Sequence, residues 1–348
     1  MDEYKRQQIL VLLSNWIQVT GVAENKDALV VEGYLKPGQT VEDIRRKTKG
    51  IIYKIHHKQE NYRDVFTIRF QPGVGNIPRI NLILFIATIL TTLLAGSLME
   101  GVNPLQNPLL IVRGIPFSVT LMLILGVHEL GHFLLARKHK VDATLPYFIP
   151  APTIIGTFGA FIKMRSPVRK RRALVEIGAA GPIAGFLVAF PALFIGLALS
   201  EITTESGNIG LKLGESILMK IATWIMYPQL TDNMDIILHP IGFAAWIGML
   251  VTMLNLLPIG QLDGGHIAYA LLGKWYKKIG WGSLGIILIL SIFSVNWLLW
   301  AVLVYFLTRM KHPPIMDEYE PVTQYEKTIG IIALIIFILT FIPIPFRF

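Results

Sequence analysis

The sequence predicts an α-helical polytopic membrane protein of about six transmembrane helices, preceded by a small α+β domain. Three observations lead there. Hydrophobic residues make up 53% of the chain and charged residues 16%, far from the balance of a soluble globular protein. Apolar runs long enough to cross a bilayer recur at about 82–98, 115–135, 173–199, 239–257, 284–307 and 328–344. The first 75 residues have no such run and show helical and strand periodicity in turn.

Each element follows from local pattern. Apolar spacing predicts a helix over 7–19, and period-two alternation predicts strands over 28–35 and 64–70. Thr40, in Thr40-Val41-Glu42-Asp43, is placed to cap a second helix by accepting from its unpaired first-turn amides. His56 and His57 are adjacent, so on regular backbone they point different ways; they are read as surface residues, not as a metal pair. Gln71-Pro72-Gly73 through Pro78 breaks the pattern. The organisation expected is a soluble cytosolic α+β domain over 1–75, a linker over 76–80, a membrane core over 81–272 and a C-terminal transmembrane region over 273–348. Within that last region the apolar stretch from Gly280 runs for about 28 residues, over-long for one upright helix and short for two full crossings. Ser294-Val295-Asn296 is either a kink in one tilted helix or the turn of a hairpin.

Charge sets the orientation of the first four spans. Residues 1–80 carry 13 Lys and Arg and 137–172 carry 9, against 1 in 101–114 and 2 in 201–236. Positively charged loops stay in the cytosol, so the second span runs inward and ends at Arg137-Lys138. A multi-pass protein of a prokaryotic cell membrane with a cytosolic N-terminal domain is expected, its C-terminal side left open. Met1-Asp2-Glu3-Tyr4-Lys5-Arg6 has no signal-peptide pattern, so no cleaved leader is inferred.

The second span holds the first chemical signal, His128-Glu129-Leu130-Gly131-His132. Side chains at i and i+4 share one helix face, so both imidazoles can reach one Zn²⁺. Glu129 then stands beside the open coordination position, where a carboxylate can take a proton from water made acidic by the metal. HxxxH also occurs by chance in helices, but ionisable groups inside a span are costly and mark function.

Two histidines need a further ligand. Asn255-Leu256-Leu257-Pro258-Ile259-Gly260-Gln261-Leu262-Asp263-Gly264-Gly265 closes the fourth span. Pro258 and Gly260 end that helix, leaving Asp263 on irregular backbone, which at membrane depth is tolerated only where it is buried in protein or lines a wet cavity, so a cavity wall is expected there. Asp263 is the candidate third ligand; the alternative is that it caps the helix that follows. At 1.5 Å per residue, His132 and His128 lie roughly 7 and 13 Å inside the cytosolic boundary. Asp263 arrives at the same level and on the same side.

HExxH in one transmembrane helix, followed by NxxPxxxLDGG at the end of a later one, resembles the site-2 protease family of intramembrane zinc metalloproteases. The resemblance covers roughly 81–272. It implies His128, His132 and Asp263 as ligands of one Zn²⁺ per chain, Glu129 as general acid and base, and a three-helix catalytic core. The tract Ala151 to Pro167 resembles the family's membrane-associated β-hairpin or loop, and Gly178-Ala179-Ala180-Gly181-Pro182-Ile183-Ala184-Gly185 resembles its small-residue core helix. The soluble N-terminal segment, Trp297-Leu298-Leu299-Trp300 and His312-Pro313-Pro314 look like the archaeal and plastid branch. No PDZ or CBS domain is apparent.

The partners implied are transmembrane protein substrates in the lipid bilayer. A protease acting on a helix must first expose its peptide bonds, and an added strand holds an extended peptide. Gly156, Thr157, Phe158 and Gly159, small and aromatic without helical period, are proposed as that substrate-binding edge; the alternative is a loop lining the interface. The Asn255 amide either donates to a developing oxyanion or holds the broken helix end. Glu176 and His239, near span ends, are read as structural. His266 is read as facing solvent, with a role orienting Asp263 as the alternative. Gly178 to Gly185 serves close helix packing.

A net charge of +9 does not point to nucleic acid, because Arg169-Lys170-Arg171-Arg172 abuts a span and reads as topology and headgroup contact. The absence of cysteine excludes disulfides, thiolate ligands and a Cys nucleophile. A divalent-ion transporter would also place His and Asp in a membrane. It would give Glu129 no task and would string ionisable groups across the bilayer, whereas here they gather on the cytosolic side. The remaining alternative, a catalytically silent scaffold, is weakened by the presence of every residue of the expected site.

Overall fold

The computed structural model describes residues 3–25, 28–47, 54–60, 63–69, 78–204, 212–231, 233–308, 312, 315 and 321–347. It divides into two compact units, Met1–Pro78 and Arg79–Phe348. Residues 71–77, where the linker is expected to begin, and Pro313-Pro314 lie outside the described residues.

The first unit runs α1 (Glu3–Leu13), β1 (Ile17–Asn25), β2 (Ala28–Leu35), α2 (Val41–Lys47), β3 (Lys54–Glu60) and β4 (Arg63–Arg69). Its strands form one antiparallel sheet in the order β1-β2-β4-β3. Ile9 and Leu13 of α1 and Ile44 of α2 cover Leu29, Val31, Ile55, Phe66 and Ile68 of the sheet. Thr40 accepts from the Asp43 N–H as a capping residue should. The helix expected to reach residue 19 stops at Leu13 because Ile17 pairs with Leu35 and Val22 with Val31. That ladder satisfies the backbone groups a longer helix would take. The surface reading holds for His56 but not for His57. On a strand, alternate residues share a face, so His57 joins Ile55 on the core side. Its Nε2 lies 2.7 Å from Asp64 Oδ1 and its ring packs on Phe66.

The second unit is mainly helical. It continues α3 (Arg79–Met99), α4 (Ile115–Lys138), β5 (Tyr147–Pro150), β6 (Thr157–Phe161), α5 (Arg171–Ala198), β7 (Glu201–Thr203), β8 (Lys212–Leu213), α6 (Ile217–Met226), β9 (Asp235–Ile237), α7 (Pro240–Asn255), α8 (Asp263–Leu272), α9 (Tyr276–Leu290), α10 (Val295–Thr308), α11 (Gln324–Thr340) and β10 (Phe346–Arg347). Among the described residues, three helices are long and apolar enough to cross a membrane: α3, α4 with its leading 3₁₀ turn, and α5. They leave Ile83, Leu90, Leu123 and Leu187 about half exposed or more, apolar surface that lipid rather than water covers. α5 is the centre, packed against α4, α7, α8 and α11.

The long apolar stretch after Gly280 is two helices. α9 and α10 pack on one another and span about 22 and 21 Å, with residues 291–294 turning between them. The hairpin alternative therefore describes the chain and the kinked single helix does not. The end of the chain returns to an earlier loop. β10 pairs with β8, the Gly214 N–H donates to Pro345 O, and Trp246 Nε1 donates to Gly214 O at 2.7 Å. Trp297, just after the α9–α10 turn, donates to Pro343 O at 2.6 Å. The chain end, the α9–α10 turn and the 212–214 loop thus meet at one end of the helix bundle.

Candidate metal centre

α4 presents His128 and His132 on one face, buried with 3% and 6% of their surface exposed. α7 stops at Asn255, and the connection through Pro258 and Gly260, whose φ is +57°, swings the chain into α8. Asp263 is the first residue of α8 rather than part of irregular backbone, and Leu262 occupies the capping position without a side-chain bond. The Asp263 carboxylate turns instead toward α4.

Three atoms then face one point. His128 Nε2 and His132 Nε2 are 3.2 Å apart, and Asp263 Oδ2 lies 3.4 Å from the first and 3.2 Å from the second. A tetrahedral Zn²⁺ with bonds of about 2.0–2.1 Å has ligand atoms about 3.3 Å apart. Two imidazole nitrogens and a carboxylate oxygen in a triangle of that edge fit zinc, with one face left for a fourth group. The His132 tautomer agrees: Nδ1 donates to Ile177 O at 2.7 Å, which leaves Nε2 with its lone pair toward the triangle.

The glycines of α5 make room for these rings. A Cβ on Gly181 would lie 2.0 Å from His132 Nε2, and one on Gly185 would lie 3.1 Å from His128 Nδ1. The Gly178 to Gly185 stretch does pack helices closely, as its composition implies: Gly181 and Gly185 pack against the two imidazoles, and Gly178 against the first turn of α8.

Glu129 follows His128 on α4 and is 6% exposed. Its carboxylate lies on the same cavity as Ile162, in the segment after β6. Asn255, at the end of α7, places Nδ2 3.4 Å from His128 Nε2. All five residues line one cavity of about 600 Å³, whose far wall is Ala160 to Val168 with His266, His312 and Ile315. Lys163 and Arg165 in that wall are exposed.

A hairpin is present but lies earlier than the expected 151–167 tract, over residues 147–161. β5 and β6 pair antiparallel with Tyr147 opposite Phe161 and Phe148 opposite Ala160. Gly156 is pinned to α3, its carbonyl accepting from Thr91 Oγ1 at 2.6 Å. Thr157 donates to Ile149 O, Phe158 is 72% exposed, and Gly159 has φ +99°. The cavity wall begins one residue later, at Ala160, so Gly156, Thr157, Phe158 and Gly159 stand beside the metal cavity and not in its wall.

Two residues differ from expectation or were missed. His266 does not face solvent: it is 8% exposed, and its Nδ1 lies 2.6 Å from His312 Nε2. His312, 49 residues beyond Asp263 in sequence, had only its Pro-Pro neighbours as a signal. Glu176 is structural, tied to Lys138 Nζ at 2.8 Å and His139 Nε2 at 3.0 Å. His239 caps α7 by accepting from the Ile241 N–H.

Comparison with known proteins adds the following. Residues 116–292 match the family Peptidase family M50. The chain is 32% identical to "Probable zinc metalloprotease EGY2, chloroplastic" of Arabidopsis thaliana over 262 residues, 73% of this chain and 46% of that protein. It is 32% identical to the protein of the same name from Oryza sativa subsp. indica, over 76% of this chain and 49% of that one. It is 31% identical to "Probable zinc metalloprotease EGY1, chloroplastic" of Arabidopsis thaliana, over 66% of this chain and 43% of that one. The chain spans about half the length of the curated relatives it matches. No solved structure gives a significant match.

Proposed function

The chain belongs to peptidase family M50, and on that footing we propose that it is a zinc-dependent endopeptidase that hydrolyses peptide bonds in or next to transmembrane segments of membrane proteins. The observation that carries this is the triangle of His128 Nε2, His132 Nε2 and Asp263 Oδ2, with edges of 3.2–3.4 Å, next to a buried carboxylate at Glu129. The plastid relatives named as zinc metalloproteases support zinc as the metal.

In this proposal His128, His132 and Asp263 hold the ion. A zinc ion bound there would supply Lewis acidity, polarising a carbonyl and acidifying water. Glu129 would accept a proton from the attacking water and return it to the leaving amine. Asn255 Nδ2 lies next to the ligand triangle. Among the described residues it donates to no carbonyl, so it is placed to donate to the oxyanion. The hairpin edge from Gly156 to Gly159 holds the substrate extended, and the 160–168 segment that follows leads it into the cavity.

The charge of the 137–172 loop favours a cavity mouth that opens to the cytosol. α3, α4, α5, α7, α9, α10 and α11 then cross in alternation, seven apolar helices in place of the six runs counted in sequence. The chain end lies with the 212–214 loop on the far side, as the β8–β10 pairing favours. The deciding experiment is zinc analysis of the purified chain, with cleavage of a single-span substrate by the wild type and by Glu129→Gln. One zinc per chain and cleavage lost in the variant support the proposal. A wild type that retains no zinc, or a variant that cleaves normally, overturns it.

A further inference from the structure

We infer that His312 is a positioning residue of the metal centre: through His266 it holds the first turn of α8, and with it the Asp263 carboxylate. The inference rests on the metalloprotease proposal above.

The first turn of α8 has little to fix it. Its capping residue Leu262 makes no side-chain bond, and Asp263 is followed by Gly264 and Gly265. Both glycines are demanded by close approach, since a Cβ on the first would fall 1.9 Å from Leu256 O and on the second 2.5 Å from Gly260 O. The next side chain able to reach anything is therefore His266. It lies three residues after Asp263, on the same side of the helix. Whatever holds His266 sets the roll of this turn, and hence where Asp263 points.

His312 holds it. His266 Nδ1 and His312 Nε2 are 2.6 Å apart, the separation of a short imidazole-to-imidazole hydrogen bond. The two rings meet edge-on at 4.8 Å. His312 is fixed in turn by stacking on Tyr269, 4.1 Å between centroids at 11°, with Tyr276 edge-on at 6.0 Å. The Tyr276 hydroxyl donates to Gly260 O at 2.9 Å, in the connection that leads to Asp263. The contacts form a closed loop from Asp263 through His266, His312 and Tyr276 to Gly260 and back. Both histidines also line the metal cavity. His312 lies beyond residue 292, where the family match ends, so the chain after the matched segment would complete the centre.

The test compares wild type, His312→Phe, His312→Gln, His266→Ala and the double variant His266→Ala/His312→Phe in the full chain. Phe keeps a ring to stack on Tyr269 but no nitrogen, and Gln keeps a polar group that can reach His266. Zinc affinity is read by competition with a chromogenic chelator, and kcat and KM on a single-span substrate. His312→Phe should weaken zinc binding about tenfold or more, in the range of groups that orient ligands. It should lower kcat with KM within about twofold, and Gln should recover most of both. The double variant should be no worse than His266→Ala alone, because the two act as one unit. A folded His312→Phe with wild-type zinc affinity, or additive losses in the double variant, overturns the inference. If His312→Phe does not fold, wild-type zinc affinity in His266→Ala overturns it equally. Failure of the metalloprotease proposal reads differently, as a wild type that itself retains no zinc and cleaves nothing.

Discussion

Gly181 on α5 and His132 on α4 stand so close that a methyl group on the glycine would come within 2.0 Å of the imidazole nitrogen facing Asp263. Nothing larger than hydrogen fits unless the ring leaves the metal position. Gly181→Ala should therefore lose zinc before it loses the fold, with cleavage falling by about a hundredfold, as a misplacement of about 1 Å can cause. Gly185→Ala, where the added carbon would meet His128 Nδ1 at 3.1 Å, should be milder. Zinc content and the thermal unfolding midpoint of both variants check the order of effects.

Glu129 is buried beside the triangle but contributes no atom to it. Glu129→Gln should hold zinc as the wild type does and lose cleavage by a factor of about 10²–10⁴, the range for a positioned acid–base group. Single-turnover assays with zinc measured on the same sample separate the two properties.

Asp263 differs from Glu129 in that its Oδ2 is one corner of the triangle. If Asp263 is the third ligand, Asp263→Asn exchanges an anionic donor for a neutral amide oxygen, so zinc affinity and activity should fall together. Unchanged affinity by chelator competition would mean that another group completes the site.

Gly159 has φ +99°, which proline cannot adopt, and its N–H donates to Thr157 Oγ1 at 2.9 Å. Gly159→Pro deforms the hairpin edge without touching the ligands. Zinc should stay bound, and cleavage of an intact transmembrane substrate should fall more than cleavage of a short, already extended peptide. Equal losses on both substrates would remove the hairpin from substrate handling.

The cysteine-free sequence allows single cysteines to report sidedness. Phe293→Cys, at the exposed α9–α10 turn, and Glu201→Cys should react with a membrane-impermeant maleimide from one side of the membrane, and Lys163→Cys from the other. Phe293→Cys reacting from the side of Lys163→Cys would refute the seven-helix alternation.

Much of the centre was legible because its logic is local. The i, i+4 spacing of His128 and His132 puts both on one helix face whatever the fold, and the apolar run around them places that face in a membrane. Pro258 and Gly260 mark where a helix must end, and Asp263 follows at once. Motifs of this kind are written in consecutive residues, and helix geometry alone converts them into positions.

The tertiary structure decided what depends on residues distant in sequence. That Asp263 closes a triangle of 3.2–3.4 Å with the two histidines requires α5 to seat α4 and α8 together. Gly181 can be read from sequence as a small residue, but only packing shows that it faces an imidazole. The N-terminal sheet turned on pairing: Ile17 to Val19 reads as the end of a helix until β2 supplies partners for its backbone. His266 looked solvent-facing because its partner, His312, lies 46 residues away and no periodicity links them. Local backbone geometry is specified by neighbouring residues, whereas burial and side-chain pairing are properties of the packed chain.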